Sequence, residues 1–249
     1  MPSAVPLMND PDESKLSDCQ WLAFDAVGTL IDPDPTVAVA YQAVGARLGS
    51  RFTIAEVSQR FRSAFRRSER DGFPGGPLPV ECWKTSDAVE AARWRWIVGE
   101  VLCDVQDQET CFRELWEHFS HPSSWKLFAD VEQSLTWLVR SGYRLAIASN
   151  FDTRLHSVCD ALPCFSQVER RIVSATVGCR KPSGDFFAAV VRECACEPGQ
   201  ILMIGDNHEY DVVAPRLAGL RSLHLDRSLA VANRDQLTSL IDLSVRLRS

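Results

Sequence analysis

Residues 22–30 read LAFDAVGTL, an apolar run that breaks on one aspartate and turns at a glycine-threonine pair. Near-continuous apolar segments of this length are what strands look like when helices cover both faces of a parallel sheet. Two further runs share that character, LAIAS at 145–149 and ILMIG at 201–205, and weaker β-rich stretches fall at 168–175 and 221–225. Helical patterns stand between them. Asp130 is placed to cap VEQSLTWLVRS, with Gln133 closing a capping box and Gly142 stopping the helix. Ser183 is placed to cap GDFFAAVVREC, whose Phe187, Val190, Val191 and Cys194 share one face. This alternation predicts an α/β fold with a Rossmann-like, doubly wound parallel sheet.

The interval from 27 to 144 is too long for one crossover, and its pattern is helical. Val37, Ala40, Tyr41, Val44 and Leu48 recur at helical spacing. Thr53 and Glu56 then open a second helix with a capping box, and that helix carries Val57, Phe61 and Phe65. A glycine-proline loop, GFPGGPLP at 72–79, leads to two aromatic-rich helical segments, ARWRWIVGEVL and ETCFRELWEHF, and His121-Pro122 ends the series. The pattern predicts a core made of 19–33 and 128–249, with a helical cap domain, 34–127, inserted into it. Residues 1–18, polar and proline-containing, read as a loose leader rather than a secretory signal.

Composition narrows the function classes. The chain has 249 residues, 45% hydrophobic and 24% charged, ordinary for a soluble globular protein. No apolar stretch approaches the roughly 18 residues of a membrane span. A net charge of −6 argues against a nucleic-acid partner. The nine cysteines lack metal-ligand spacing. With no export signal they fit a reducing cytoplasm, where a buried thiol acts as a small hydrophobe.

In open parallel sheets, ligands bind beyond the carboxyl ends of the strands. Those ends carry Asp25, Ser149-Asn150, and Gly205-Asp206 followed by Asp211, while Arg180-Lys181-Pro182 precedes a helix. Taken singly, each has an ordinary structural use. Asp25, Asp206 and Asp211 can cap helices or turns, Ser149-Asn150 can form a strand-to-helix turn, and Lys181 can be an exposed helix start. Taken together, they bring carboxylates, a hydroxyl-amide pair and a lysine to one rim. Neighbouring carboxylates repel unless a cation lies between them, and hard oxygen ligands with room for water suit magnesium.

Asp25 with Gly28-Thr29-Leu30, Ser149-Asn150, Lys181-Pro182 and GDNHEYD at 205–211 occur in that order around a long insertion. The arrangement resembles the haloacid dehalogenase superfamily of hydrolases over residues 20–226. SNFDTRL, FSHPSSW and GDNHEYD are most similar to its haloacid dehalogenase-like hydrolase domain-containing protein three type. The resemblance implies that Asp25 is a nucleophile forming an aspartyl ester, which splits one hard displacement into two easier ones. It implies that Ser149 holds the transferring group and that Lys181 neutralises charge on that group and on Asp25. Gly28, Thr29 and Asn150 would contact substrate. Mg2+ would be held by Asp25, the backbone carbonyl of Val27, Asp206 and Asp211. The implied substrate is a small phosphorylated metabolite, chosen by a cap that closes over the core.

Val27 departs from that pattern. Phosphatases of the superfamily carry a second aspartate there, which protonates the leaving group and then activates water; such help is worth about 10²- to 10⁴-fold. The superfamily's dehalogenases have tyrosine at this position but use no metal and lack the spacing of Gly205, Asp206 and Asp211. Its phosphonatases have alanine and use a cap lysine, for which Lys84 is the candidate here. Three readings follow: a magnesium-dependent phosphatase of weak or specialised turnover, a dehalogenase- or phosphonatase-like hydrolase, and a catalytically silent domain that binds a phosphometabolite or protein. His208, Glu209, Asp32 and Asp34 are the nearest groups that could replace the missing acid. The run Arg60, Arg62, Arg66, Arg67 and Arg70 reads as a solvated helix face before it reads as an anion site. Trp94 and Trp96, two apart, point in different directions on a helix, so at least one belongs to the cap's own core.

Overall fold

In the computed structural model, which describes residues 16–77, 83–233 and 235–248, the three strongest apolar runs lie side by side. The chain runs through β1 (Trp21–Phe24), β2 (Ile31–Pro33), α1 (Val37–Arg47), α2 (Ile54–Arg70), α3 (Asp87–Val101), α4 (Gln108–His118) and β3 (Trp125–Leu127). It continues through α5 (Val131–Arg140), β4 (Arg144–Ser149), α6 (Arg154–Asp160), β5 (Val168–Val173), α7 (Ser174–Val177) and α8 (Gly184–Cys194). After β6 (Ile201–Gly205), a π-helical turn over His208–Val213 runs into α9 (Ala214–Leu217), followed by β7 (Arg221–Leu225), β8 (Gln236–Leu237) and α10 (Leu243–Arg246). The expected leader falls on residues outside the described ones up to 15, and the end of the 72–79 loop does likewise.

Six parallel strands form one sheet in the order β5-β4-β1-β6-β7-β8. This is the Rossmann-like α/β fold expected from the alternating pattern. β1 sits between β4 and β6, with Phe24 level with Ile147 on one side and Ile204 on the other. That register places Asp25, Ser149 and Gly205 at one rim, where the strand order switches direction.

Alternate side chains of these strands serve two separate cores, as a pleated sheet requires. Leu22, Phe24, Leu145, Ile147, Leu202 and Ile204 pack with α5, α6 and α10. Trp21, Ala23, Ala146, Ala148, Ile201 and Met203 pack on the other face with α8. Phe186 and Phe187 of α8 are fully buried there, each stabilising the fold by about 1.5–3 kcal/mol relative to exposure.

Local signals mostly hold. Thr53 and Glu56 form both halves of the capping box of α2, Ser183 accepts from the amide of Asp185, and Gly142 leaves α5 with φ +89°. Asp130 differs: it makes no cap bond to α5. Its buried carboxylate instead accepts from Arg227 (2.8 and 3.0 Å), the Ser239 hydroxyl (2.6 Å) and the Leu240 amide (2.8 Å). Those charged and buried donors outbid a helix end that solvent can satisfy. β5 stops at Val173 rather than at 175, because Ser174 starts α7 and its hydroxyl is bonded to the backbone of Phe151.

Helices α1–α4 form an insertion with an apolar core of its own, centred on Tyr41, Val57, Ile97, Val101, Leu102 and Phe112. Its two connections to the sheet domain run antiparallel as a short ribbon, β2 against β3, with Asp32 opposite Lys126. No helix among the described residues is long and apolar enough to cross a membrane.

Candidate active site

The rim carboxylates converge. Carboxylate oxygens of Asp25, Asp206 and Asp211 lie within 4.8 Å of one another. Lys181 Nζ sits beneath them, donating to Asp25 Oδ1 at 2.8 Å and Asp211 Oδ1 at 2.6 Å. The lysine is fully buried, not an exposed helix start. Burial alone would pull its pKa down; the carboxylates of Asp211 and Asp25 outweigh that and hold it above the ordinary lysine range.

Backbone design makes this crowding possible. Asp25 follows β1 directly, and its amide donates to Ile204 of β6 at 2.9 Å. Gly28 takes φ +86°, and a Cβ there would fall 2.6 Å from Asp206 Oδ2. A Cβ on Gly205 would fall 2.2 Å from Asp211 Oδ2. Both glycines are therefore required by the close approach of a carboxylate. Asn207 caps the following turn through the amides of Glu209 and Tyr210, and its own amide donates to Asp211 Oδ2 at 3.1 Å.

The three carboxylates are electrostatically unfinished. Asp206 is the exposed member of the three; desolvation within the cluster, then the charges of Asp25 and Asp211, push it up to about 7 against the opposing pull of Lys181. Burial likewise pushes Asp211 up to about 6, although Lys181 acts against it. Three clustered oxygen donors with one ammonium form a site suited to a hard cation, with Asp25, Asp206 and Asp211 as its holders.

A cavity of about 910 Å3 opens above this rim, between sheet domain and insertion. Asp25, Val27, Ser149, Asn150, Lys181, Asp206 and Asp211 all line it. Asn150 also locks Lys181 in place, accepting from its amide at 2.7 Å and donating to its carbonyl at 3.0 Å. Gly28 and Thr29 are not among the lining residues. Thr29 is fully buried, its hydroxyl donating to Asp206 Oδ1 at 3.4 Å and its carbonyl accepting from Arg227.

Of the groups considered for a proton donor, Asp32 and Glu209 line the cavity. His208 is exposed and rests edge-on against His224, and Asp34 pairs with Lys126 at 3.6 Å. Lys84 is exposed and bridges to Cys179 on the loop before Arg180, away from the cavity lining. Within the arginine run, Arg67 pairs with Glu100 at 2.7 Å and Arg70 with Asp71 at 2.7 Å, while Arg66 and Arg70 also line the cavity.

A second set of residues joins the insertion to the sheet domain. Glu69 on α2 reaches into the interface, pairing with Arg93 of the insertion and with Arg180 at 2.9 Å, and accepting from the Tyr210 hydroxyl at 2.6 Å. Arg180 precedes Lys181, and Tyr210 precedes Asp211. Asp87 of α3 accepts from the amide and hydroxyl of Thr153, both at 2.9 Å. Arg154 donates to the Trp116 carbonyl and lies over its ring, 3.4 Å from the centroid. Glu69, Asp87 and Trp116 have no local mark, and although Thr153, Arg154 and Tyr210 lie inside SNFDTRL and GDNHEYD, their bonds to the insertion run to elements distant in sequence.

The family model of the haloacid dehalogenase-like hydrolases matches residues 19–219. The chain belongs to that family. Among relatives in the haloacid dehalogenase-like hydrolase group, "Haloacid dehalogenase-like hydrolase domain-containing protein 3" of Homo sapiens is 27% identical over 81% of this chain and 79% of its own length. This agrees with the resemblance carried by SNFDTRL, FSHPSSW and GDNHEYD. A phosphoserine phosphatase of Thermus thermophilus is 26% identical over 84% of this chain and 89% of its own. In fold, a HAD-hydrolase from Bacillus subtilis bound to magnesium superimposes with a TM-score of 0.68 at 18% identity, covering 93% of this chain and 99% of that one.

Proposed function

We propose that this haloacid dehalogenase-like hydrolase is a magnesium-dependent phosphohydrolase acting through an Asp25 ester, with the insertion 34–127 as its cap. The observation that carries the reading is the shared ammonium: Lys181 bonds Asp25 and Asp211 at once, while Asp206 stands within 4.8 Å of both. A caps-and-turns explanation of these aspartates does not account for three carboxylates forced together against glycines. Their mutual repulsion, with Asp206 pushed up to about 7, favours a cation, and the oxygen-only donor set favours magnesium. Phosphatase names among the relatives support the same reading.

Asp25 would attack phosphorus, with its reacting oxygen oriented by Lys181. Ser149, at the end of β4, and Lys181 would hold the phosphoryl oxygens. Asn150 would act through Lys181, fixing its backbone. Magnesium bound among Asp25, Asp206, Asp211 and the Val27 carbonyl would offset the charge of the transferring phosphoryl group. Closure of the insertion over the cavity would exclude water and select a small phosphorylated substrate. Val27 supplies no proton, so turnover of ordinary alkyl phosphates would be slow. Unpaired cysteines throughout the described residues favour the cytoplasm as its compartment.

The test is a phosphatase screen over a metabolite panel with magnesium, on the native protein and on Val27→Asp. Restoring an acid raises activity by about 10²- to 10⁴-fold. A Val27→Asp variant as inert as an Asp25→Asn variant would refute the reading.

A further inference from the structure

The cavity has two unlike kinds of lining. The rim is polar and charged. The insertion lines the cavity with partly buried aromatic side chains, among them Phe61, Phe65, Trp94, Trp116 and Phe119, and Phe151 of the sheet domain joins them. Phe61 stacks on Phe65 and Trp94 with centroids 5.8 and 6.4 Å apart. Of the guanidiniums lining the cavity, Arg93 is engaged by Glu69 and Glu90, Arg154 by Asp152 at 2.7 Å and Arg70 by Asp71 at 2.7 Å, while Arg66 bonds the Arg62 carbonyl at 3.1 Å. Eight carboxylates and five cationic side chains line the whole cavity, so a second anionic group on the substrate is disfavoured. About 910 Å3 is also far more room than a phosphoryl group on a short polar chain needs.

Val27 adds an independent constraint. With no acid at that position, a leaving group that departs as a stable anion is favoured over one that needs a proton, which Asp32 or Glu209 of the cavity lining would have to supply. A phenol ionises near pH 10, as tyrosine does, whereas an alkyl alcohol lies nearer the 15.7 of water, about six units higher.

From these two observations we infer that the substrates are aryl phosphate monoesters, or esters of comparably acidic hydroxyls, carried on a broad, uncharged aromatic body. The inference rests on the phosphotransfer reading and names its substrate class. A carboxylate oxygen of Asp25 bonds to phosphorus as the bond from phosphorus to the aryl oxygen breaks. The electron pair leaves on the phenolate, which takes a proton from solvent. Water then attacks phosphorus, the bond to Asp25 breaks, and the carboxylate and inorganic phosphate are released, the water's proton going to the phosphate or to solvent. The aromatic wall holds the departing ring by offset and edge contacts.

The test uses three esters with magnesium: 2-naphthyl phosphate, benzyl phosphate and glycerol phosphate. Benzyl phosphate keeps the ring but leaves as an alkoxide. The native protein hydrolyses the naphthyl ester with kcat/KM at least 100-fold above the benzyl ester, and Val27→Asp closes most of that gap by accelerating the benzyl ester. On Asp25→Asn, tryptophan quenching shows 2-naphthyl phosphate binding at least tenfold more tightly than glycerol phosphate, and Phe61→Ala in that background weakens it several-fold. Equal hydrolysis of naphthyl and benzyl esters, or equal binding of naphthyl and glycerol esters, overturns the inference. If Val27→Asp turns over benzyl phosphate while the native protein shows no aryl preference, the inference fails and the phosphotransfer reading stands. If Asp25→Asn matches the native protein on every ester, that reading fails too.

Discussion

Two residues decide the chemistry, and neither is itself reactive. Gly205 has no side chain because Asp211 occupies the space one would need, its Oδ2 lying 2.2 Å from an added Cβ. Gly205→Ala must therefore displace Asp211 from Lys181 and from its partner carboxylates. Magnesium affinity by calorimetry should fall about 10- to 100-fold, the usual result of disturbing the support of a ligand, with the fold retained. Unchanged affinity would mean that Asp211 takes no part in holding the ion. Val27 acts through what it lacks. Its side chain lines the cavity beside Asp25, where an aspartate would be in position to transfer a proton. That departure was legible in nine letters of sequence, because the motif around it fixes where the side chain points. The aromatic lining of the cavity was not legible: Phe61 read as a helix-face residue and Trp94 as one of two tryptophans of which at least one is core, and their second duty depends on where the insertion docks.

At the scale of elements, the sheet was foreseeable and its fastening was not. Runs such as LAIAS and ILMIG are buried on both faces and can only be interior parallel strands. Asp130 shows the limit. Its position before α5 predicts a cap, yet its carboxylate is drawn to Arg227 and the start of the C-terminal segment, contacts nearly a hundred residues away or more. Burial raises its pKa, but bonds from Arg227, Ser239 and the Leu240 amide outweigh this and hold it below the ordinary carboxylate range. A carboxylate lowered in the folded state stabilises the fold above its unfolded pKa, near 3.9, and that contribution is lost as pH falls through the folded value. Asp130→Ala should cost about 1.5–3 kcal/mol at pH 7 by urea unfolding, the range for hydrogen bonds to a charged group. The difference from the native protein should shrink as the pH is taken below 4; a constant difference would place the effect in packing instead.

For the molecule as a whole, the joint between sheet domain and insertion reaches the loops that carry Lys181 and Asp211. Glu69 reaches from α2 to Arg180 and Tyr210, the immediate neighbours of Lys181 and Asp211. Arg93 and Arg180 are buried with it and keep its carboxylate low despite its own burial. Removing it in Glu69→Ala leaves two buried guanidiniums facing each other, a loss of about 3–5 kcal/mol and a Tm lower by roughly 6–15 °C. Tyr210→Phe, which removes one hydrogen bond, should cost only about 1 kcal/mol. Small-angle scattering should show the larger change in radius of gyration for Glu69→Ala; identical scattering from both variants and the native protein would mean that the other contacts hold the insertion closed alone.

Because the residue that would activate water is also missing at Val27, the second half of the reaction should be slower than the first, and an ester on Asp25 should accumulate. Acid quenching during turnover of 2-naphthyl phosphate with magnesium, followed by mass spectrometry of the peptide that contains Asp25, tests this directly. One phosphoryl group should be found on Asp25 in a large fraction of the native protein, in much less of Val27→Asp, and in none of Asp25→Asn. Turnover with an unmodified Asp25 peptide in the native protein, or label on another residue, would contradict it.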